Sequence, residues 1–319
     1  MRKVAVVTTS YPEFEGDPSG HFVQTEARAL ADEASIVVVT AGATASRASG
    51  NDGILVIRVA GGGAFGWPGV AARVREDPSR IVGALRWARR AQKTLRSLGP
   101  LDQVVAHWAV PCGVPVSDAL DVPLEAVSHG ADVRLLLRLP TMVRHALVVR
   151  VLDQATTWRF VSESLRGELL ASLRPAERER LLASSIIAPA AISLPDVAAR
   201  SRELRRATLS DGPGKLVVCV GRLVAGKAFN RALDHVAETT ESGAPTRLVV
   251  VGDGPERSRL EAQARALGID ARFVGRTTHT EALGWIGASD ALLHPSRKEG
   301  LSTVVREADA LGIPIVRIA

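Results

Sequence analysis

The chain has 319 residues, 46% hydrophobic and 23% charged, a composition that suits two globular domains of about 150 residues and excludes a disordered or fibrous protein. Its formal net charge of +6 comes from 40 basic and 34 acidic residues. With six Phe and the single Tyr11 it supplies few stacking platforms for single-stranded nucleic acid, so nucleic acid is not an expected partner.

In chain order, "KVAVVTT" (3–9), "ASIVVVTA" (34–41), "GILVIRVA" (53–60), "LDQVVAHW" (101–108) and "PLEAVSHG" (123–130) read as short buried strands. Helix-length segments separate several of them, such as "GHFVQTEARALADE" and "SRIVGALRWARRAQKTLRSLG". That alternation predicts an α/β protein with a parallel sheet covered on both faces. A further strand, "RFVS", precedes the helical "ESLRGELLASLRPAERERLLAS". Residues 189–214 are polar and punctuated by Pro and Gly, and read as a linker. Beyond it the alternation restarts: "KLVVCVG", "TRLVVVGDG", "ARFVG", "ALLHPS" and "IPIVRI" are strands with helices between them. The expected organisation is a Rossmann-like domain over 1–188, the linker 189–214 and a second Rossmann-like domain over 215–319. Ligands of such sheets bind beyond the carboxyl ends of the strands, and a cleft between two facing domains is the default site.

Charge is unevenly placed. Residues 58–99 hold nine Lys or Arg against Glu76 and Asp77, and Arg134, Arg138, Arg144 and Arg150 punctuate an apolar run. Such faces are either solvated helix surfaces or docking faces for an anionic membrane or acidic ligand. Cys112 and Cys219 lack metal-ligand spacing and read as buried small hydrophobes of a reducing compartment. No signal peptide and no membrane-spanning stretch is recognised, so a cytoplasmic location is expected.

"GRLVAGKA" (221–228) has the G-x-x-x-x-G-K spacing of a phosphate-cradling loop, but Ala228 stands where a magnesium-binding hydroxyl belongs. What remains is a pair of cations, Arg222 and Lys227, past a strand end and suited to phosphate oxygens. "GDGPER" (252–257) has Arg257 in place of the third glycine of a dinucleotide fingerprint and reads as a tight strand-to-helix turn. In "HPSRKEGLSTVVREADALG" (294–312), Gly300 permits close backbone approach, and Ser302 or Thr303 can cap the following helix. The amides at that helix start suit a phosphate group. Glu299 precedes the helix and Glu307 lies on it, too far apart for a carboxylate pair but able to grip two ends of one extended ligand. In the first half, "DPSGHF" forms a glycine-bearing loop at Gly20, and His129 ends a strand beside Gly130 and Asp132.

Taken as an ordered series, "SYPEFEGDPSGHFVQTEARALA", "AHWAVPCG", "VSHGADV", "FVSESLRGEL", "VGRLVAGKAFNRALDHV", "LVVVGDGPERSRLEAQARALG" and the stretch from "RFVGRTTHTEALG" to "GIPIV" resemble a retaining glycosyltransferase of family 4 with the GT-B fold. The resemblance spans nearly the whole chain. It implies transfer of a sugar from a nucleotide-sugar donor to an acceptor hydroxyl, with retained anomeric configuration and no metal or other cofactor. It implies that Glu307 holds the ribose hydroxyls and Glu299 the donor sugar. The amides of Gly300, Leu301, Ser302 and Thr303, with Arg222 and Lys227, hold the diphosphate. His129 meets the sugar near the reaction centre, and the Gly20 loop approaches the phosphate. The expected partners are the donor, a lipid-linked or small-molecule acceptor and, peripherally, an anionic membrane.

The chain departs from the family pattern in three places. Gly226 and Ala228 flank the lysine where Glu and Gly are usual, "AAISLPDV" replaces the usual linker, and the chain stops where family members continue through further units. The last departure leads to an expectation of a C-terminally shortened protein. It also leaves the reading of a catalytically degenerate GT-B protein that binds a nucleotide-sugar without turnover, and "GRLVAGKA" leaves that of a P-loop-like nucleotide hydrolase.

Overall fold

The computed structural model describes residues 1–319 apart from 51, 68, 119, 211, 213, 242–244, 297–300 and 319. The chain divides into two units, Met1–Glu13 with Ser19–Ala191 and Phe14–Pro18 with Ile192–Ala319.

The first unit is built on β1 (Arg2–Thr8), β2 (Ala34–Gly42), β3 (Ser46–Ser49), β4 (Leu55–Ala60), β5 (Gln103–His107), β6 (Leu124–Ser128), β7 (Thr157–Phe160) and β8 (Ser185–Ile187). Its helices are α1 (His21–Ala31), α2 (Val70–Glu76), α3 (Arg80–Arg96), α4 (Ala131–Arg138), α5 (Thr141–Gln154), α6 (Glu163–Leu170) and α7 (Pro175–Ser184), with an irregular helical segment over 109–117. The sheet order is β3-β4-β2-β1-β5-β6-β7-β8. Alternation along β1 explains how one run of valines serves two layers: Val4 and Val6 pack with Val23 and Ala27 of α1, while Ala5 and Val7 face Trp87, Ala91 and Leu95 of α3. The expected parallel sheet is modified at one edge. β3 runs antiparallel to β4 and all four of its residues are exposed, a short polar edge strand of the kind that discourages pairing with another chain.

The second unit contains α8 (Ala198–Thr208), β9 (Lys215–Val220), α9 (Phe229–Glu241), β10 (Thr246–Val251), α10 (Arg257–Ala266), β11 (Asp270–Gly275), α11 (His279–Ala288), β12 (Ala291–His294), α12 (Thr303–Ala310) and β13 (Ile315–Arg317). Its sheet is wholly parallel in the order β11-β10-β9-β12-β13, so the topology reverses between β9 and β12.

Residues 189–214 do not form the linker expected of them. They contain α8, whose Leu204 and preceding Val197 join the core beside α11. Ser201 Oγ donates to the Gly284 carbonyl at 3.1 Å, and Arg200 grips Glu281 through two 2.8 Å bonds. Pro and Gly punctuate only the ends of this stretch, and a buried face at helical spacing, Val197, Ser201, Leu204 and Thr208, outweighs its polar texture. Both cysteines are buried, and burial raises both thiol pKa values, so they are neutral core residues as expected. Among the described residues no helix is long and apolar enough to cross a membrane.

Candidate functional site

In the second unit the site grows from three neighbouring loops at the carboxyl ends of the strands. The loop after β9 is stitched to the loop after β10 by backbone bonds. Leu223 N donates to Asp253 O at 2.8 Å, and Glu256 N returns to Leu223 O at 3.0 Å. Gly254 makes this stitching possible: its φ is +154°, and a Cβ there would lie 2.4 Å from the Leu223 carbonyl oxygen. "GDGPER" is therefore the tight strand-to-helix turn expected, with its glycine serving backbone contact.

The clamped loop presents Lys227 on a single 3₁₀ turn, Ala225–Lys227, followed by Ala228 in the left-handed region at φ 52°. Lys227 is partly buried and Arg222 is exposed. Lys227 shares a small cavity with His294, Ser296 and Ser302, floored by Phe229 and Leu293. This lies at the β9/β12 reversal, where ligands of doubly wound sheets gather. Burial holds the His294 pKa down to about 4, with the Lys227 and Arg317 charges adding to the effect, so the ring is neutral near pH 7. Ser302 is the N-cap residue of α12 but makes no side-chain cap hydrogen bond, and Thr303 opens the helix; Leu301 beside them is exposed. Of the two expected capping residues, Ser302 and Thr303, Ser302 takes the cap position, but without a side-chain cap bond. Glu299 and Gly300 lie outside the described residues.

Glu307 is 2% exposed, although it reads in sequence as one more acid in an Arg-rich helix. Its partner is His279, whose Nε2 lies 2.8 Å from Oε1. His279 is held in turn at the start of α11, where Thr278 Oγ1 accepts from Glu281 N at 3.2 Å and His279 N donates to Gly16 O at 2.8 Å. Arg276 donates to the buried Asp17 carboxylate at 2.6 Å. His279, Arg276 and Asp17 were not singled out from sequence. The T-x-x-E signature of "THTE" marks a helix start and places His279 at its first turn, but no local pattern pairs it with Glu307.

In the first unit, Gly20 is the N-cap residue of α1 at φ 72°, with Ser10 O only 2.3 Å from where a Cβ would lie. Two residues further along, Phe22 packs on the His129 ring at 4.8 Å between centroids. His129 follows β6 and is partly buried; its Nε2 lies 2.9 Å from Nδ1 of the fully buried His107, and the rings stack at 5.2 Å. Burial pulls both imidazole pKa values down, His107 to about 3, and the Arg159 charge adds to this, so both rings are neutral. The turn carrying His129 is pinned by the buried Asp132. It accepts from Ser128 Oγ at 2.7 Å, Ala109 N at 3.0 Å and Gly130 N at 3.1 Å, while Trp158 Nε1 donates to Ser128 Oγ at 2.9 Å. Trp108, between His107 and Ala109, stands at φ 70° and touches both Phe22 and His129. A bulky residue in that region is strained and is held by its surroundings.

Residues 200–319 match the model of the family described as glycosyl transferases group 1. Two curated relatives come from Streptomyces kanamyceticus. The alpha-D-kanosaminyltransferase is 31% identical over 73% of this chain and 63% of its own length, and the 2-deoxystreptamine glucosyltransferase is 28% identical over 69% and 60%. The chain therefore spans less than two thirds of the length of these relatives. Among solved structures, a sucrose-phosphate synthase from Thermosynechococcus elongatus superposes with a TM-score of 0.72 at 17% identity, covering 99% of this chain and 81% of its own. HepE of Anabaena, in complex with UDP and glucose, gives 0.69 at 16%, with 99% and 80% covered. These likenesses establish the GT-B fold.

Proposed function

We propose that the protein is a family 4 glycosyltransferase that moves a sugar from a nucleoside-diphosphate donor to an acceptor hydroxyl with retained anomeric configuration. The observation that carries this reading is the buried Glu307 held by His279 on the helix whose uncapped start faces Lys227 across the Ser302 cavity. A carboxylate suited to ribose hydroxyls and a cationic, amide-rich end suited to phosphate are the two halves of a nucleoside-diphosphate site.

In this reading Glu307 accepts from the ribose hydroxyls and Glu299 from the sugar. The amides of Gly300 to Thr303, with Arg222 and Lys227, hold the diphosphate. From the first unit, His129 is assigned to the sugar and the Gly20 turn to the phosphate. The bond from the anomeric carbon to the diphosphate oxygen breaks through an oxocarbenium-like transition state. The charge that develops on the leaving oxygen is stabilised by the two cations and the helix start, without a metal ion. The acceptor oxygen bonds to the anomeric carbon from the face that the diphosphate leaves, and the leaving phosphate takes the acceptor proton, which accounts for retention without an enzyme nucleophile. Neutral His129 donates or accepts a hydrogen bond without placing a second positive charge beside the sugar cation. The acceptor is a small molecule or a lipid-linked one, met in the cytoplasm at the inner face of an anionic membrane; the buried reduced cysteines and the basic helices of the first unit support that setting.

A thermal-shift panel of UDP, GDP, dTDP, ADP and Mg-ATP on the parent and on Glu307→Gln tests the reading. One diphosphate at about 100 times its dissociation constant stabilises the parent by about 2.7 kcal/mol and the variant by much less. Stabilisation by Mg-ATP alone, or none across the panel from folded protein, refutes it.

A further inference from the structure

α3 is 17 residues long and carries no acidic residue. Its inner stripe, Trp87, Ala91 and Leu95, is buried in the core of the first unit. Its outer face is divided along its length. The first two turns expose aliphatic side chains, Ile81 at 55%, Val82 at 45% and Leu85 at 61%. The following turns expose Arg86, Arg89, Arg90, Lys93 and Arg96, and no carboxylate pairs with any of these five among the described residues. A solvated helix normally intersperses acids among its bases and does not expose three large aliphatics within two turns.

The same pattern recurs nearby. α5 exposes Met142 at 82% and Val143 at 45% in its first turn, just after the exposed Arg138 of α4. α3 and α5 both pack on the 109–117 segment and so lie on one face of the sheet. Each leads from the carboxyl end of one parallel strand to the amino end of the next, which places both aliphatic first turns at the carboxyl edge of that sheet.

We infer that this face of the first unit docks on an anionic lipid surface, with the Ile81–Leu85 turns entering the headgroup boundary and the α3 arginines meeting lipid phosphates. Charge complementarity selects this occupant: an aliphatic patch alone would fit any apolar partner, but five cations on the turns that follow it, unpaired among the described residues, call for a dense negative surface. The inference gives the membrane part of the reading above a location, and its test needs no donor, so either can fail without the other.

The experiment is co-sedimentation of the full chain with vesicles of phosphatidylcholine alone and of phosphatidylcholine with phosphatidylglycerol, at low and high salt. Binding is expected to the anionic vesicles only and to fall at high salt. The double variant Arg86→Gln/Arg90→Gln is expected to bind about 30-fold more weakly, about fivefold per cation removed. Ile81→Ser/Leu85→Ser is expected to bind weakly at any salt. All four side chains are exposed, so each variant should melt as the parent does, and that melt serves as the folding control. Equal binding to neutral vesicles, absence of binding to anionic ones, or binding indifferent to both variants overturns the inference.

Discussion

His107 Nδ1 lies 2.9 Å from His129 Nε2, and one proton serves the contact between the two neutral rings. His107 is 1% exposed and feels the charge of the buried Arg159, which pairs with Glu26 and Glu125. A histidine whose pKa falls on folding stabilises the fold above its unfolded value of 6.5, and that contribution is lost as pH falls toward about 3. Within this window His107 by itself should add a slope of up to about 1.4 kcal/mol per pH unit to the parent's loss of stability, beside the contributions of His129 and His294, which burial also lowers. Denaturant melts of parent and His107→Gln between neutral and mildly acidic pH check this. The variant should show the shallower slope, and identical slopes would mean that His107 is not the group responsible.

Asp132 sits at the centre of a buried network in which three donors converge on one carboxylate. Burial raises its pKa, and the bonds from Ser128, Ala109 and Gly130 oppose that rise. Asp132→Ala leaves those donors unsatisfied, each at a cost of about 1 kcal/mol or more, so a loss of about 3 kcal/mol is expected. A lower denaturant midpoint with an unchanged m-value is the readout.

Gly254 and Gly226 lie on the two loops around Lys227 and should respond very unequally to the same substitution. A Cβ at Gly254 would strike the Leu223 carbonyl at 2.4 Å from a backbone at φ +154°, whereas one at Gly226 meets nothing within 4 Å. Gly254→Ala should cost about 2 kcal/mol or more, and Gly226→Ala should change stability by about 0.5 kcal/mol or less. Paired melting curves decide it.

Ala228 holds a left-handed conformation at φ 52°, where the family resemblance expects glycine. The left-handed cost for alanine is about 1–2 kcal/mol, and the chain-entropy cost of glycine offsets about half of it. Ala228→Gly should therefore stabilise the protein by about 0.5 kcal/mol, read as a small upward shift in Tm. A downward shift would show that the 225–228 turn is not strained.

The long apolar runs were legible because they are local. A strand buried on both faces must be nearly continuous in Val, Ile and Ala, so "KVAVVTT" and "TRLVVV" declare themselves without a partner. β3, four exposed residues long, carries no such signal and takes its pairing from β4. α8 was hidden by the Pro and Gly at the ends of its stretch, and its place is set by Arg200, Ser201 and Leu204 against α11.

The candidate site divides the same way. Lys227, Ser302 and Glu307 stand in local motifs, and chain order alone brings them to one edge of a parallel sheet. The buried Glu307 is paired with His279, 28 residues earlier, and His129, kept neutral chiefly by burial, meets His107, 22 residues earlier. Asp17 belongs with Arg276, 259 positions away, and this pairing goes with the assignment of Phe14–Pro18 to the second unit. Periodicity and turn chemistry act over a few residues and are written in the chain itself. Desolvation and the pairing of charges depend on which distant segments share a volume, and that follows only from the packing of the folded chain.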